Sequence, residues 1–206
     1  TAELRVSTVN GGVEIEGVGG KISAETTNGG IKARDVAGQI DRLRDCCDHC
    51  GAVHYVNPRP VVGTIPVWGD QVLLCKRAIE PRLGKWTLPA GFMEVGETTG
   101  DGALRETLEE AGARVRLGPL FSMIDVPHVQ QVHIFFRAEL VDTNFTIGTE
   151  SLEVRLFRQN EIPWDEIAFR TVSATLELYF ADRTRGEFGV YTRAITAAPT
   201  ARAVRA

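Results

Sequence analysis

Apolar and polar positions divide the chain into a glycine-rich opening, a cysteine-bearing joint and a long body of strand-like and helix-like segments. In the body, residues 61–67 and 71–77 are apolar runs of strand length, with the turn pair Gly69-Asp70 between them. Residues 115–123, 132–140 and 152–157 read as further strands. Residues 99–111 switch to helical spacing. Glu106, Glu109 and Glu110 gather on one face there, and Leu104, Leu108 and Ala111 form the predicted core-facing stripe on the opposite side. Thr98 or Thr99 is the expected cap of this helix and Gly112 its stop. A second helix is predicted from residues 163–165 to about 183, with Ile167, Val172, Leu176 and Tyr179 packed on the sheet. Residues 195–206, rich in Ala, Thr and Arg, show no core-facing period and read as a loose tail.

The opening contains a repeat. Thr8-Val9-Asn10-Gly11-Gly12-Val13 returns as Thr26-Thr27-Asn28-Gly29-Gly30-Ile31, and Val18, Gly20 and Ile22 return as Val36, Gly38 and Ile40. Asn-Gly-Gly between β-like runs marks tight turns, because Asn and Gly tolerate positive φ. Residues 1–40 resemble the rungs of an adhesin-like, Gly-rich β-solenoid, with an antiparallel meander as the competing reading. Two rungs bury little core, so this segment is expected to pack on something else, and a fusion is the preferred explanation.

Composition narrows the function. The chain has 206 residues, 43% hydrophobic and 24% charged, as expected for a globular protein of one ordinary domain with an appendage. A net charge of −4 argues against a general nucleic-acid or anionic-membrane binder, and no apolar run is long enough to span a bilayer. The four cysteines, two of them adjacent, do not suggest a disulfide framework, so a cytoplasmic, reducing compartment is expected. Cys75 alternates with Leu73 and reads as a core residue.

Three clustered carboxylates repel one another and weaken the helix that carries them. A hard divalent cation relieves that repulsion, since Mg²⁺ and Mn²⁺ prefer oxygen ligands. A solvated acidic face would be the better reading of a bare Glu-x-x-Glu-Glu, but its flanks reverse that preference. Gly91, Glu97, Arg105, Glu106, Glu109, Glu110 and Gly112 match the box G-x5-E-x7-R-E-U-x-E-E-x-G-U, where U is aliphatic. The two U positions hold Thr107 and Ala113, smaller than usual. On this box the chain resembles the Nudix hydrolases, from about residue 41 to about residue 190. Val61-Val62-Gly63-Thr64, the run from Trp86 to Phe92, Glu150-Ser151-Leu152-Glu153 and Glu161-Ile162-Pro163 look like the branch that acts on FAD and ADP-ribose and carries a zinc ribbon in front.

The resemblance implies an α/β fold, an α+β sandwich of the Nudix type with a mixed sheet between helices, over residues 59–194. It implies a metal-dependent pyrophosphatase acting on a nucleoside diphosphate linked to another group. Glu106, Glu109, Glu110 and the Ala90 carbonyl are the implied Mg²⁺ or Mn²⁺ ligands. Glu97 is expected to pair with Arg105 and fix the loop against the helix. The general base is expected after the box, at Glu153 by preference or at Glu150. Arg77 and Phe121 are the candidate substrate contacts, with Arg82 read as a surface arginine. Residues 41–58 look like half of the zinc ribbon. Cys47-x-x-Cys50 supplies one ligand pair where a tetrahedral site needs two, so empty thiols are expected and zinc is the disfavoured alternative. The expected partner is a small nucleotide, not a nucleic acid or a membrane, and a homodimer is allowed. Competing readings are a sanitising hydrolase for oxidised nucleoside triphosphates, a non-catalytic nucleotide-binding regulator, and an adhesin fused to a passive domain.

Overall fold

The computed structural model describes residues 57–196 and, ahead of them, the backbone of six short strands. The chain forms two compact units, Thr1–Asn57 and Pro58–Ala206. In the first, β1 (Glu3–Asn10), β2 (Val13–Glu16), β3 (Lys21–Asn28) and β4 (Ile31–Arg34) pair in the register of the repeat. β1 lies parallel to β3 with Thr8 opposite Thr26, and β2 lies parallel to β4 with Val13 opposite Ile31. An antiparallel meander would not give this pairing. β5 (Asp45–Cys46) and β6 (Val53–His54) form a short antiparallel pair. Cys47, His49 and Cys50 lie outside the described residues, and so does the question of zinc.

The second unit is a mixed sheet between two helices. Its strands are β7 (Arg59–Trp68), β8 (Gln71–Arg77), β9 (Trp86–Thr87), β10 (Ala90–Phe92), β11 (Val115–Val126), β12 (Gln131–Leu140), β13 (Ser151–Phe157) and β14 (Tyr191–Ala194). The helices are α1 (Thr99–Ala111) and α2 (Arg170–Arg185). The strand order is β13-β8-β7-β12-β11-β14, with β7–β12 and β11–β14 parallel. The apolar run of β8 is buried on both faces, as a central strand must be. Val72 and Leu74 face the large core with Trp86, Phe121, Phe135, Leu176 and Phe180, while Leu73 and Cys75 face a smaller one with Ala111 and Leu140. β7 and β8 pair directly only beside their turn, at Val67–Val72 and Trp68–Gln71. Beyond it, β9 pairs with β8 and β10 pairs with β7. This splaying of the hairpin brings Ala90 and Gly91 under α1.

Three expectations change. α2 begins at Arg170, later than its periodicity suggests. Ile167 bridges to Trp86, and the Ala168 N–H donates to the Trp86 carbonyl at 2.8 Å, which holds the approach to α2 extended. β14 carries a short, mostly exposed pattern with little apolar signal, and pairing with β11 makes it a strand. The third change concerns α1. Leu108 is 54% exposed, and the buried stripe is Ala103, Thr107, Glu110 and Ala111, joined by Gly102. Small residues let the helix approach β7 closely. A Cβ on Gly102 would come within 2.8 Å of a Val62 methyl. The carboxylate face is therefore turned partly inward.

Thr107 fits this packing because it has a polar partner. Its Oγ1 donates to the Ala103 carbonyl at 2.7 Å and lies 2.7 Å from Thr64 Oγ1, with both residues fully buried. Since the Thr107 proton goes to Ala103, the Thr64 hydroxyl donates to Thr107. Thr107→Val then leaves a buried donor unpaired and should cost about 1–3 kcal/mol. Thr64→Val removes the donor and should cost less. The double variant should be more stable than the summed single losses, as measured by urea unfolding in a double-mutant cycle. Strict additivity would show that the two hydroxyls are not coupled.

Candidate active site

A cleft of about 1030 Å³ opens beside α1 and is lined at one end by Glu94, Glu106, Glu109, Glu110 and Glu150. Three local devices hold these carboxylates. The first is Gly91. A Cβ there would lie 2.3 Å from the Glu106 carboxylate, so only glycine lets that group rest against β10. The second is the Ala90 N–H, which donates to Glu110 Oε2 at 3.2 Å. The third is Arg105. Its Nε and Nη2 grip both oxygens of Glu97 at 3.0 and 2.8 Å, and its Nη1 reaches Glu106 at 2.7 Å and Glu109 at 3.1 Å. Arg105 Nη2 also donates to the Phe92 carbonyl at 3.2 Å, which ties the helix to the loop before it. The Arg105 guanidinium, helped by the Glu94 N–H, holds Glu97 down to about 2.

Glu110 is under electrostatic pressure. Only 7% exposed, it has its carboxyl pushed up to about 8, first by burial and then by Glu106 and Glu150, against the Ala90 N–H and the charge of Arg77. Burial also raises Glu106, against the opposing pull of Arg105. Glu109 is the exposed member, with its side chain 58% accessible.

Glu150 reaches this end because its loop is fastened to the end of α1. Gly112 stops the helix in the left-handed region at φ 57°, and its N–H bonds the Leu108 carbonyl at 2.8 Å. Two more terminal carbonyls are taken by the following loop, Ala111 by the Thr146 N–H at 3.1 Å and Glu110 by the Gly148 N–H at 3.2 Å. A Cβ on Gly148 would fall 1.8 Å from the Glu109 carbonyl, so the loop can seat there only with glycine. On the far side, the Glu150 carbonyl accepts from the Ala78 N–H at 2.8 Å.

The predicted site residues therefore separate. Glu97, Arg105, Glu106, Glu109, Glu110 and Ala90 converge on one end of the cleft, and Arg77 lines it. Arg82, read as a surface arginine, lines it too. Glu153 does not line the cleft. It sits in β13 opposite Lys76, past an irregularity after Ser151, and the charge felt by Glu106 and Glu110 from this region is that of Glu150. Phe121, read as a substrate contact, is completely buried against Tyr179 and Tyr191 and cannot touch a ligand. Cys75 is also buried, and burial pushes its thiol up. Among the described residues no three His, Cys, Asp or Glu side chains converge tightly enough to close a metal site by themselves.

The far end of the cleft was not anticipated. Gln131 and His133, two residues apart on β12, and Thr171, in the first turn of α2, line it with Phe169. His133 Nδ1 lies 3.0 Å from Thr171 Oγ1, and its Nε2 lies 2.9 Å from Gln131 Oε1. The only sequence signal was a Gln-x-His at the start of a strand.

Residues 57–175 match the NUDIX domain. The chain belongs to the Nudix family. It is 51% identical to a Nudix hydrolase from Nitrosomonas europaea of known crystal structure, with a TM-score of 0.74 over 76% of this chain and 90% of that one. It is 30% identical over 115 residues to the ADP-ribose pyrophosphatase of Methanocaldococcus jannaschii, covering 53% of this chain and 67% of the relative. It is also 30% identical over 118 residues to the NAD-capped RNA hydrolase NudC of Salmonella heidelberg, covering 57% of this chain. This Nudix chain spans 46% of that relative, about half its length. No helix among the described residues is long and apolar enough to cross a membrane.

His133 gives a pH prediction. Burial pushes it down to about 4 from 6.5, so between those values the unfolded chain binds the extra proton. Its contribution to stability is complete above pH 6.5 and is lost as pH falls toward 4. A gap of that size corresponds to about 3 kcal/mol at one group. Urea unfolding from pH 7 to 4.5 should show the wild type losing stability more steeply than His133→Gln, in which the shared carboxylate background cancels. Parallel slopes would mean that His133 titrates normally in the folded protein.

Proposed function

We propose that this Nudix chain hydrolyses the pyrophosphate bond of a nucleoside diphosphate linked to a second group, with ADP-ribose the first candidate and FAD the second. The observation that carries this reading is the inward-facing pair Glu106 and Glu110, sharing a cleft with Glu150 and Arg77. The ADP-ribose pyrophosphatase among its relatives supports the choice of substrate. NAD, free or at the end of an RNA, belongs to the same chemical class, as the NudC relatives illustrate. A net charge of −4 speaks against binding along an RNA backbone but does not bear on reading its capped end.

The donor set suits a hard divalent cation. Glu106 and Glu110 are oxygen donors whose carboxyls are raised, first by burial and then by neighbouring carboxylates, which a cation would relieve. These two, with Glu109 and the Ala90 carbonyl, would hold Mg²⁺ or Mn²⁺. When bound, such an ion neutralises phosphate charge and lowers the pKa of water. The remaining work falls to the protein. Arg77 offsets the negative charge of the pyrophosphate. Glu150 takes the proton of the attacking water, a role open to it because it is bonded through its backbone carbonyl and its carboxylate carries no ligand duty. Arg105 keeps Glu106 and Glu97 in place and does not itself meet substrate. Water adds to one phosphorus and the other phosphate leaves, so ADP-ribose would give AMP and ribose 5-phosphate.

Three substitutions test the assignment. Glu110→Gln should hold or raise stability without metal while turnover falls by orders of magnitude. Glu150→Gln should keep metal affinity and lose turnover, with part regained at higher pH, where hydroxide replaces activated water. Glu153→Gln should change turnover little. Near-normal, metal-dependent hydrolysis in Glu110→Gln would overturn the metal site, and a larger loss in Glu153→Gln than in Glu150→Gln would return the base to β13. AMP plus a phosphorylated product distinguishes this activity from a triphosphate sanitiser, which would release pyrophosphate.

A further inference from the structure

The end of the cleft away from the carboxylates is a closed hydrogen-bond chain with one unspent end. His133 is 9% exposed and is flanked by two uncharged partners, Thr171 on one ring nitrogen and Gln131 on the other. A neutral imidazole has one donor and one acceptor. The amide oxygen of Gln131 can only accept, so the proton sits on Nε2 and points to it. Nδ1 is then the acceptor, and the Thr171 hydroxyl donates to it. Each member fixes the next. The chain consumes the oxygen of the Gln131 amide and leaves its NH₂, which can only donate, at the cleft wall. A buried histidine held neutral preserves this polarity over the ordinary pH range.

The position suits the part of a substrate remote from its phosphates. In the sheet, Phe92 pairs with Val61 and Val61 with His133, so His133 lies two strand spacings, about 10 Å, from the strand that supports Glu106. Gln131 is two residues further along β12. The ring of Phe169 also lines the cleft, with the Arg77 guanidinium 5.1 Å from its centroid. A planar aromatic group with a hydrogen-bond acceptor on its edge meets both features: a ring beside which to lie and a donor to satisfy.

We propose that Gln131 is a specificity-determining residue that reads an acceptor atom on the edge of the substrate's nucleobase, with His133 and Thr171 as positioning residues that fix which end of its amide is offered. The proposal rests on the hydrolase reading above for the place of the phosphates. For adenine the acceptor is a ring nitrogen. A base that offers a donor at the same place is rejected, because the amide NH₂ would face another donor.

Binding and kinetics of the full chain test this. The probes are AMP and ribose 5-phosphate, titrated by calorimetry, and ADP-ribose, followed by product formation with Mg²⁺. Gln131→Met keeps the length of the side chain and removes the donor. It should weaken AMP binding roughly five- to tenfold, leave ribose 5-phosphate unchanged, and carry its loss on ADP-ribose in KM rather than kcat. Thr171→Val should give a smaller loss of the same kind, since an unanchored His133 lets the amide turn over. Thr171→Ser should restore it, which a merely structural role for the methyl group would not predict. Unchanged AMP affinity in Gln131→Met, or equal weakening of AMP and ribose 5-phosphate, overturns the proposal, as does a wild type that binds AMP no better than ribose 5-phosphate. If the wild type does not hydrolyse ADP-ribose yet binds AMP in a Gln131-dependent way, the hydrolase reading fails and this one stands.

Discussion

The second unit is built around carboxylates packed inward. α1 meets β7 through Gly102 and Thr107, and that close approach carries Glu110 to 7% exposure and Glu106 against Gly91 of β10. Burying ionisable groups in this way is unfavourable unless they are paired or bonded. Several otherwise arbitrary features answer that cost. Arg105 spans Glu97, Glu106 and Glu109, the Ala90 N–H serves Glu110, and glycine is required where a Cβ would strike a carboxylate. Even so, compensation is incomplete at Glu110, whose carboxyl stays pushed up to about 8. Strongly shifted carboxyls beside a cleft are where functional sites concentrate.

Much of this was legible because the box is a set of fixed spacings. Thr99–Ala111, its Thr98 cap and its Gly112 stop all follow from local rules, and so do the turn at Gly69-Asp70 and the strands on either side of it. Local rules failed where a distant partner decided the outcome. Leu108 looked like a core residue because apolar spacing favoured it, yet the small residues won, since the helix must lie close to Val62 and Thr64. Thr107 looked like a weak match to an aliphatic position, and only the Thr64 hydroxyl across 43 residues explains it. The start of α2 was decided by Trp86, and β14 by β11.

The different placement of Glu150 and Glu153 shows why spacing after the box carries less information. Both residues fall in one acidic stretch, three apart, and a strand start does not reveal which way its first side chains turn. What settles their positions is the loop ahead of them. The Thr146 and Gly148 N–H groups cap the carbonyls of α1 and leave Glu150 at the cleft, while β13 pairing commits Glu153 to a place opposite Lys76. The signal available in the sequence was Gly148, and its meaning depends on the helix end that it touches.

The two ends of the cleft handle polarity in opposite ways. At the α1 end, several like charges share too few partners, so the site gains by taking up positive charge. At the β12 end, His133 is kept neutral, both of its ring nitrogens are paired within the Thr171–His133–Gln131 chain, and only the Gln131 NH₂ is left over. An electrostatic surplus attracts phosphate-bound cations with little regard for what the phosphate is attached to. A satisfied neutral chain attracts little but discriminates strongly, because a wrong group leaves a buried polar atom unpaired. On the proposed reading, affinity for the phosphate end and selectivity for the base end can therefore vary independently. The sheet makes that independence physical, since β7 stands between the strand under Glu106 and the strand bearing Gln131.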